Sequence, residues 1–465
     1  MSFSNKLADN FAKVIEKSPF AVQDQLVKVQ HVQKGNNIVF GRTVKPDQYE
    51  NLIYIGKILE SASGKSYLGA DAWMDITFPH VIYITGTRGS GKSFDLGVIL
   101  EGISQLDKPS PIQNNVLPIT SILIDTQSQF WTLRFAPNPA VAANKQQLEE
   151  LARWNLQPSN LSAAKFFVPP GSTKFLGDEI ELTVRPQDVT HAEWCALLGQ
   201  EVYSPQGHIL SKTLEAMAEA SFSVADMIDH VRDDGNWNGV ADSSRHAILY
   251  KLDDYARTNL FSPTGLSVKD LLVPGTCNVL MLRDLRNEDK SLITAIIARQ
   301  LFTIMGERHT KKKISEFFGN EDEHSSLPNR VWLLIDEAHV VAPKDEPSPA
   351  RAALVEYVKR GRDAGLSLVL ATQQPSAVDD RILSQVNLTL SHRLTFQSDI
   401  NASVNRIPTK TISCMKMAGT ILDDFGDMIR VLDAGQCFIG DHSTSRAVML
   451  QIRPRISAHG GYSPI

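Results

Sequence analysis

The chain has 465 residues, 42% hydrophobic and 21% charged, a balance that supplies a packed core and excludes global disorder. Its formal net charge of −5 excludes nucleic-acid contact through a basic whole surface and leaves open only a local basic lining, such as a pore. The four cysteines, Cys195, Cys277, Cys414 and Cys437, lie far apart without a CxxC pair, which argues against a disulfide scaffold or zinc site and for a reducing compartment. The first 20 residues lack the continuous apolar run of a secretory signal, and no window approaches the ~18 apolar residues of a membrane span. The expectation is a cytoplasmic protein with no membrane partner.

Leu7, Phe11, Val14 and Ile15 recur at helical spacing and predict a short amphipathic helix over residues 5–17. Short β-like runs follow at Leu26–Val29, Asn37–Phe40 and Leu52–Ile55, so residues 1–79 read as an N-terminal helix and a small β-rich module. Residues 80–189 open an α/β core, with strands at Val81–Thr85 and Ile119–Asp125 around a helical segment from Phe94 to Leu106. Residues 190–272 lose strand character and become helix-like at Ala192–Val202 and Leu210–Ala220, the pattern of a helical insertion. Residues 273–465 resume the core with a strand at Cys277–Leu282 and a helix at Asp289–Met305, in which Leu292, Ile296, Ile297 and Leu301 share a face. Arg308 to Asn329, with Lys311-Lys312-Lys313 and Glu321-Asp322-Glu323, reads as an exposed connection whose lysines are either a solvated surface or a nucleic-acid contact. Strand Val331–Ile335, helix 349–364, strand Leu366–Ala371, helix 379–385, strand Leu388–Leu394 and a C-terminal β hairpin with a tail complete the chain. Such alternation calls for an α/β fold with a mostly parallel sheet wrapped by helices.

Gly86-Thr87-Arg88-Gly89-Ser90-Gly91-Lys92-Ser93 sits between the Val81–Thr85 strand and the helix that Phe94 opens. Glycines let the backbone fold closely around an anion, so that successive N–H groups and a helix N-terminus point at the β- and γ-phosphates. Lys92 adds a mobile positive charge, and Ser93 offers a hydroxyl where a Mg²⁺ ion bridging those phosphates needs oxygen. Residues 86–94 are therefore the candidate ATP-binding loop.

Downstream, five apolar residues, Val331 to Ile335, run straight into Asp336 and Glu337. At such a strand end Asp336 would hold Mg²⁺ through water, and Glu337 would orient and deprotonate an attacking water. The apolar strand Leu368–Ala371 ends in Thr372-Gln373-Gln374-Pro375, where Gln373 is either a turn cap or an amide facing the same crevice. Lys359-Arg360-Gly361-Arg362 closes a helix, and its cations either complement the helix dipole or reach a neighbouring subunit's ATP site.

The ordered set Ile335–His339, Arg360–Ser367, Ala371–Ser376 and Ile382–Asn387 resembles the HerA and FtsK class of hexameric DNA-pumping ATPases, and its HerA branch in particular. The likeness continues through Leu432–Gln436 to Pro454-Arg455 and covers most of residues 50–460. It implies a RecA-like P-loop ATPase core, a homohexameric ring, and ATP-driven movement along double-stranded DNA. By matching positions it implies Lys92 and Ser93 on phosphate and Mg²⁺, Asp336 on Mg²⁺, Glu337 as catalytic base and Gln373 as sensor. Arg362 matches a finger acting in trans, with Arg360 as the fallback. Archaeal relatives assist DNA end resection, and bacterial ones join nuclease or NAD-consuming effectors in antiphage defence, so an effector partner is implied. A ring that mainly assembles and licenses such a partner, with little DNA pumping, is the alternative function. Gln374 stands where many relatives carry arginine, Gln129 where a glutamate is common, and the N-terminal β region is shorter than the family's barrel.

Overall fold

Apolar runs without polar interruption build the centre of the sheet, because a strand flanked by parallel neighbours is covered on both faces. The computed structural model describes residues 37–42, 50–62, 65–114, 118–218, 221–237, 239–318, 326–408, 415–417, 420–422 and 424–459. The expected helix over 5–17 and strand Leu26–Val29 lie outside them. In chain order the strands are β1 (Asn37–Phe40), β2 (Leu52–Ala62), β3 (Lys65–Asp75), β4 (Val81–Thr85), β5 (Gln113–Asn114), β6 (Ile119–Asp125), β7 (Lys165–Val168) and β8 (Ile180–Glu181). Then come β9 (Cys277–Met281), β10 (Arg330–Ile335), β11 (Leu366–Thr372), β12 (Leu388–Ser391), the small hairpin β13 (Met415–Met417) and β14 (Thr420–Leu422), β15 (Gln436–Asp441) and β16 (Arg446–Ile452).

The main sheet has the order β1-β3-β2-β16-β15-β12-β4-β11-β10-β6-β9-β7-β8, with β5 on β2. From β12 to β8 every pairing is parallel. β15, β16, β2 and β3 extend this part in antiparallel pairing, so the described strands of the N-terminal region continue the core sheet through β16. Alternate residues along each parallel strand feed two separate cores. Tyr83, Ile122, Leu333 and Leu370 face the helices of residues 191–360, whereas Ile84, Leu123, Leu334 and Ala371 pack with the helix Lys92–Ile103.

The described part of residues 190–272 holds four α-helices, His191–Leu197, Pro205–Ala216, Val224–Arg232 and Asp242–Arg257. Reciprocal capping between Thr190 and Glu193 and between Ser223 and Asp226 starts two of them. The next helix differs from expectation: it runs 32 residues from Asn287 to Phe318, through Lys311-Lys312-Lys313, where the polarity suggested a connection. Lys, Glu and Arg are good helix formers, and pairs such as Lys312–Glu316 at 3.7 Å support the last half, in which Ile314, Phe317 and Phe318 are exposed. Glu321-Asp322-Glu323 lies outside the described residues.

The segment after β16 returns to the Lys92–Ile103 helix. Glu101, fully buried there, accepts from Arg453 Nη1 (2.8 Å), Ile456 N (3.1 Å), Ser457 N (2.9 Å) and Ser457 Oγ (2.6 Å), with Arg455 Nε at 3.5 Å. Burial opposes its ionisation, but Arg453, Arg455 and these donors hold the carboxyl below the usual range. Gly97 makes room, since a Cβ there would lie 2.6 Å from Arg455 Nε. Replacing Glu101 with Ala leaves two buried guanidinium groups uncompensated and should cost about 3–5 kcal/mol in a denaturant titration. A loss under about 1 kcal/mol would contradict the role of this latch.

Candidate functional site

Parallel register brings the carboxyl ends of β4, β11 and β12 to one edge, with Thr85 opposite both Thr372 and Ser391. β10 joins them, Ile335 pairing with Leu370 on one side and Ile124 on the other. In an open parallel sheet this edge is where ligands bind.

The loop leaving β4 is held by its neighbours. Gly86 N–H donates to Thr372 O (3.3 Å), Thr87 N–H to Arg393 O (2.8 Å), and Ser90 Oγ to Thr87 O (2.8 Å). Gly89 (φ 75°) and Gly91 (φ 131°) adopt left-handed backbone that favours glycine, and a Cβ on Gly86 would lie 2.3 Å from Ser90 Oγ. The following helix starts at Lys92 without a side-chain cap, so its first N–H groups remain available to an anion. Lys92, 4% exposed, donates from Nζ to Thr87 O at 2.9 Å. Burial lowers the pKa of its ammonium, opposed by Glu337, Asp336 and Asp95.

Asp336 and Glu337 follow β10 directly. Asp336 N–H donates to Ile124 O (3.0 Å), and the fully buried carboxylate has Ser93 Oγ 3.5 Å from Oδ1 and no partner on Oδ2. Burial raises its pKa well above the usual range, and the charges of Asp125 and Glu337 add to this while Lys92 opposes it. Asp125, at the end of β6, is pushed up to about 6 by burial, against hydrogen bonds from the backbone of Phe130 and Gln127. Glu337 has left-handed backbone (φ 51°), which turns its carboxylate toward β11. There it accepts from Gln373 N–H (3.2 Å) and from the Gln373 side-chain amide, while His339 Nδ1 lies 3.4 Å from Oε2 and 3.0 Å from Thr372 Oγ1.

A cavity of about 1200 Å³ collects Arg88, Gly89, Lys92, Ser93, Glu337 and Gln373 on its walls. Phe94, Gly91 and Gln129 also line it, whereas Gly86, Thr87 and Ser90 shape the loop from behind. Ser93 Oγ and Asp336 form an oxygen donor set suited to a hard divalent cation. Arg362 is not brought here. It is exposed on the turn Gly361–Ala364 that leads into β11, at the opposite edge of the sheet. Arg360 lies beside it, 3.6 Å from Glu356 and 5.3 Å from the Phe302 ring.

Three site residues escaped the sequence reading. His392 Nε2 meets Asp95 Oδ2 at 2.7 Å, both are buried, and a Cβ on Gly91 would lie 3.1 Å from the imidazole. His339 braces Glu337. The available signal was positional, since His392 follows β12 as Gly86 follows β4.

A family model described as the central domain of helicase HerA matches residues 53–301. The DNA double-strand break repair helicase HerA of Sulfolobus acidocaldarius is 25% identical over 198 residues, 42% of this chain and 36% of that protein. Its counterpart from Sulfurisphaera tokodaii is 23% identical over 240 residues, 48% of this chain and 46% of that protein. The matches thus span less than half the length of these relatives. VirB4 of Thermoanaerobacter pseudethanolicus superposes with a TM-score of 0.52 at 14% identity, covering 87% of this chain and 97% of that one. The plasmid coupling protein TrwB in complex with ADP and Mg²⁺ gives 0.50 at 11% identity, covering 82% and 86%. These two likenesses establish a shared α/β fold. No helix among the described residues is long and apolar enough to cross a membrane. Because the family model spans more than half of the sequence, from β2 into the helix Asn287–Phe318, the chain belongs to the HerA helicase family.

Proposed function

We propose that the chain is a Mg²⁺-dependent ATPase that works as a hexameric ring, moves along or grips double-stranded DNA, and acts with a nuclease or NAD-consuming effector. The observation that carries this reading is the meeting of Lys92, Glu337 and Gln373, delivered by three different strands, around one cavity, with Asp336 buried behind its Ser93 wall. The loop 86–93 cradles the β- and γ-phosphates, and Lys92 exchanges its bond to Thr87 O for phosphate oxygen. The unpartnered, buried Oδ2 of Asp336 beside Ser93 Oγ fits a magnesium site, and the ion when bound neutralises phosphate charge. Glu337 takes a proton from water as the water oxygen bonds to the γ-phosphorus, and the bond to the β-phosphate oxygen breaks to release ADP. Gln373 now occupies the Glu337 carboxylate, so that amide must turn toward the γ-phosphate before the base is free.

Arg362, exposed and far from its own cavity, suits a finger offered to the next copy in a ring. The DNA reading draws support from the names of the HerA relatives, and the effector reading from the family resemblance alone.

Lys92→Ala should lower ATP turnover by about 100-fold or more in a phosphate-release assay, and near-normal turnover would overturn the loop assignment. Glu337→Gln should slow hydrolysis by about 10²–10⁴-fold while ATP stays bound. Arg362→Ala should keep nucleotide binding and lose turnover, part of which returns on mixing with the Lys92→Ala protein; no recovery would leave Arg362 as a helix-end cation. Long duplex DNA should raise turnover in a motor, whereas a scaffold answers chiefly to its partner.

A carboxyl raised in the folded state stabilises the fold below its unfolded pKa, near 3.9, and loses that contribution as pH rises through the folded value. With Asp125 at about 6 and Asp336 also raised, the nucleotide-free protein should lose stability from about pH 4 to above pH 6. Asp336→Asn should therefore melt higher than the parent at pH 8 without nucleotide, yet gain less from Mg²⁺ and ATP in thermal denaturation.

A further inference from the structure

Asp95, His392 and Cys437 come from three separate elements and meet at one buried point. Asp95 lies one turn into the Lys92–Ile103 helix, its N–H donating to Gly91 O at 2.9 Å. His392 follows β12, and its N–H donates to Thr85 O at 2.8 Å. The antiparallel register that pairs Ser391 with Phe438 sets the next residue, His392, beside Cys437 near the start of β15. One donor atom from each of the three side chains lies within 4.8 Å of the others, and among the described residues no other His, Cys, Asp or Glu side chains form such a group of three. Each of the three residues is at most 1% exposed.

Contacts within the group leave it unfinished. His392 Nε2 meets Asp95 Oδ2 at 2.7 Å, which satisfies one atom of each side chain. Asp95 Oδ1 and His392 Nδ1, both buried, have no hydrogen bond. Such orphaned polar atoms are costly unless a ligand completes them. A thiolate, an imidazole and a carboxylate together make the donor set of a borderline-soft ion, zinc above all, whereas magnesium and calcium take oxygen. Ionised Cys437 and Asp95 carry two negative charges between them, which one Zn²⁺ neutralises, so the filled site suits a fully buried position. Binding releases the thiol proton to solvent. The ligands lie far apart in sequence, so no CxxC spacing signals them.

We propose that Asp95, His392 and Cys437 hold a zinc ion beneath the loop 86–93, separate from the magnesium position proposed at Ser93 and Asp336. The ion ties the Lys92–Ile103 helix to the end of β12 and the start of β15. A Cβ on Gly91 would lie 3.1 Å from the His392 ring and one on Gly86 2.7 Å from His392 Cβ, so the same fastening supports the backbone of the loop. Its role is structural, and it needs neither nucleotide nor a second copy of the chain.

The test is titration of the metal-stripped full chain with Co²⁺, whose bond to a thiolate gives a near-ultraviolet charge-transfer band. The expected band saturates at about one Co²⁺ per chain, is erased by Zn²⁺ and survives excess Mg²⁺. Cys437→Ser should abolish it, and His392→Gln should raise the Co²⁺ concentration needed by about tenfold or more. Combining Cys195→Ala, Cys277→Ala and Cys414→Ala leaves Cys437 as the last thiol, and the band should persist. Absence of a thiolate band in the parent overturns the site. A band of parental strength in Cys437→Ser also overturns it, because the metal then sits on another thiol. Should Cys437→Ser melt early, the triple-alanine variant decides: a retained band supports the site, and its loss with a parental melt overturns it. All of these readings are taken without nucleotide, so failure of the zinc site leaves the triphosphate reading untouched.

Discussion

Parallel registration of β4, β10 and β11 is the constraint on which the rest of the molecule depends. Hydrogen bonding of Val81–Thr85 to Leu368–Thr372, and of Leu366–Leu370 to Val331–Ile335, aligns three strand ends far apart in sequence. Each strand then delivers a different group at the same edge: a glycine loop, an acid pair and an amide. Fully buried strands tolerate a register slip poorly, because alternate residues fill two separate cores and a shift of one would exchange them. The packing of the sheet therefore fixes the geometry of the site.

Placing ionisable groups at that edge works against folding. Asp336 lies buried with one oxygen unpartnered, Asp125 sits beside it, and Lys92 has lost most of its water. Such strain is expected where a charged ligand completes the electrostatics, and Asp336 Oδ2 is one of the buried polar atoms left without a hydrogen bond. Glu101 shows the contrasting solution, a buried carboxylate met by two arginines and several hydrogen-bond donors. One acid is satisfied within the fold, while Asp336 keeps an oxygen without a hydrogen bond.

Much of this is legible in the amino-acid sequence alone. The strand, glycine loop and helix around Lys92 are local in sequence, and so is the apolar run ending in Asp336-Glu337. The α/β class followed from the alternation of such runs. Two features that leave no mark in the sequence share a cause. The pairing of Asp95 with His392 joins residues 297 apart, and the Glu101 latch joins residues 352 to 356 apart, so neither leaves a local pattern. The helix through Lys311-Lys312-Lys313 is hidden for another reason, since a charge run reads as a loop although its lysines and glutamates are good helix formers. Arg362 lies on the turn Gly361–Ala364, away from the cavity of its own chain, so the role proposed for it across a subunit boundary has no counterpart in the contacts of its own fold.

In the proposed function Ser93, in the first turn of the helix after β4, and Asp336, directly after β10, lie 3.5 Å apart and share one magnesium-bound triphosphate. A double-mutant cycle of Ser93→Ala and Asp336→Asn, read by calorimetric titration of ATP with Mg²⁺, tests this most directly. Shared coordination predicts strong non-additivity, with a coupling of about 1 kcal/mol or more that vanishes when Mg²⁺ is omitted. Strictly additive losses, or no measurable ATP binding by the parent chain, would contradict it.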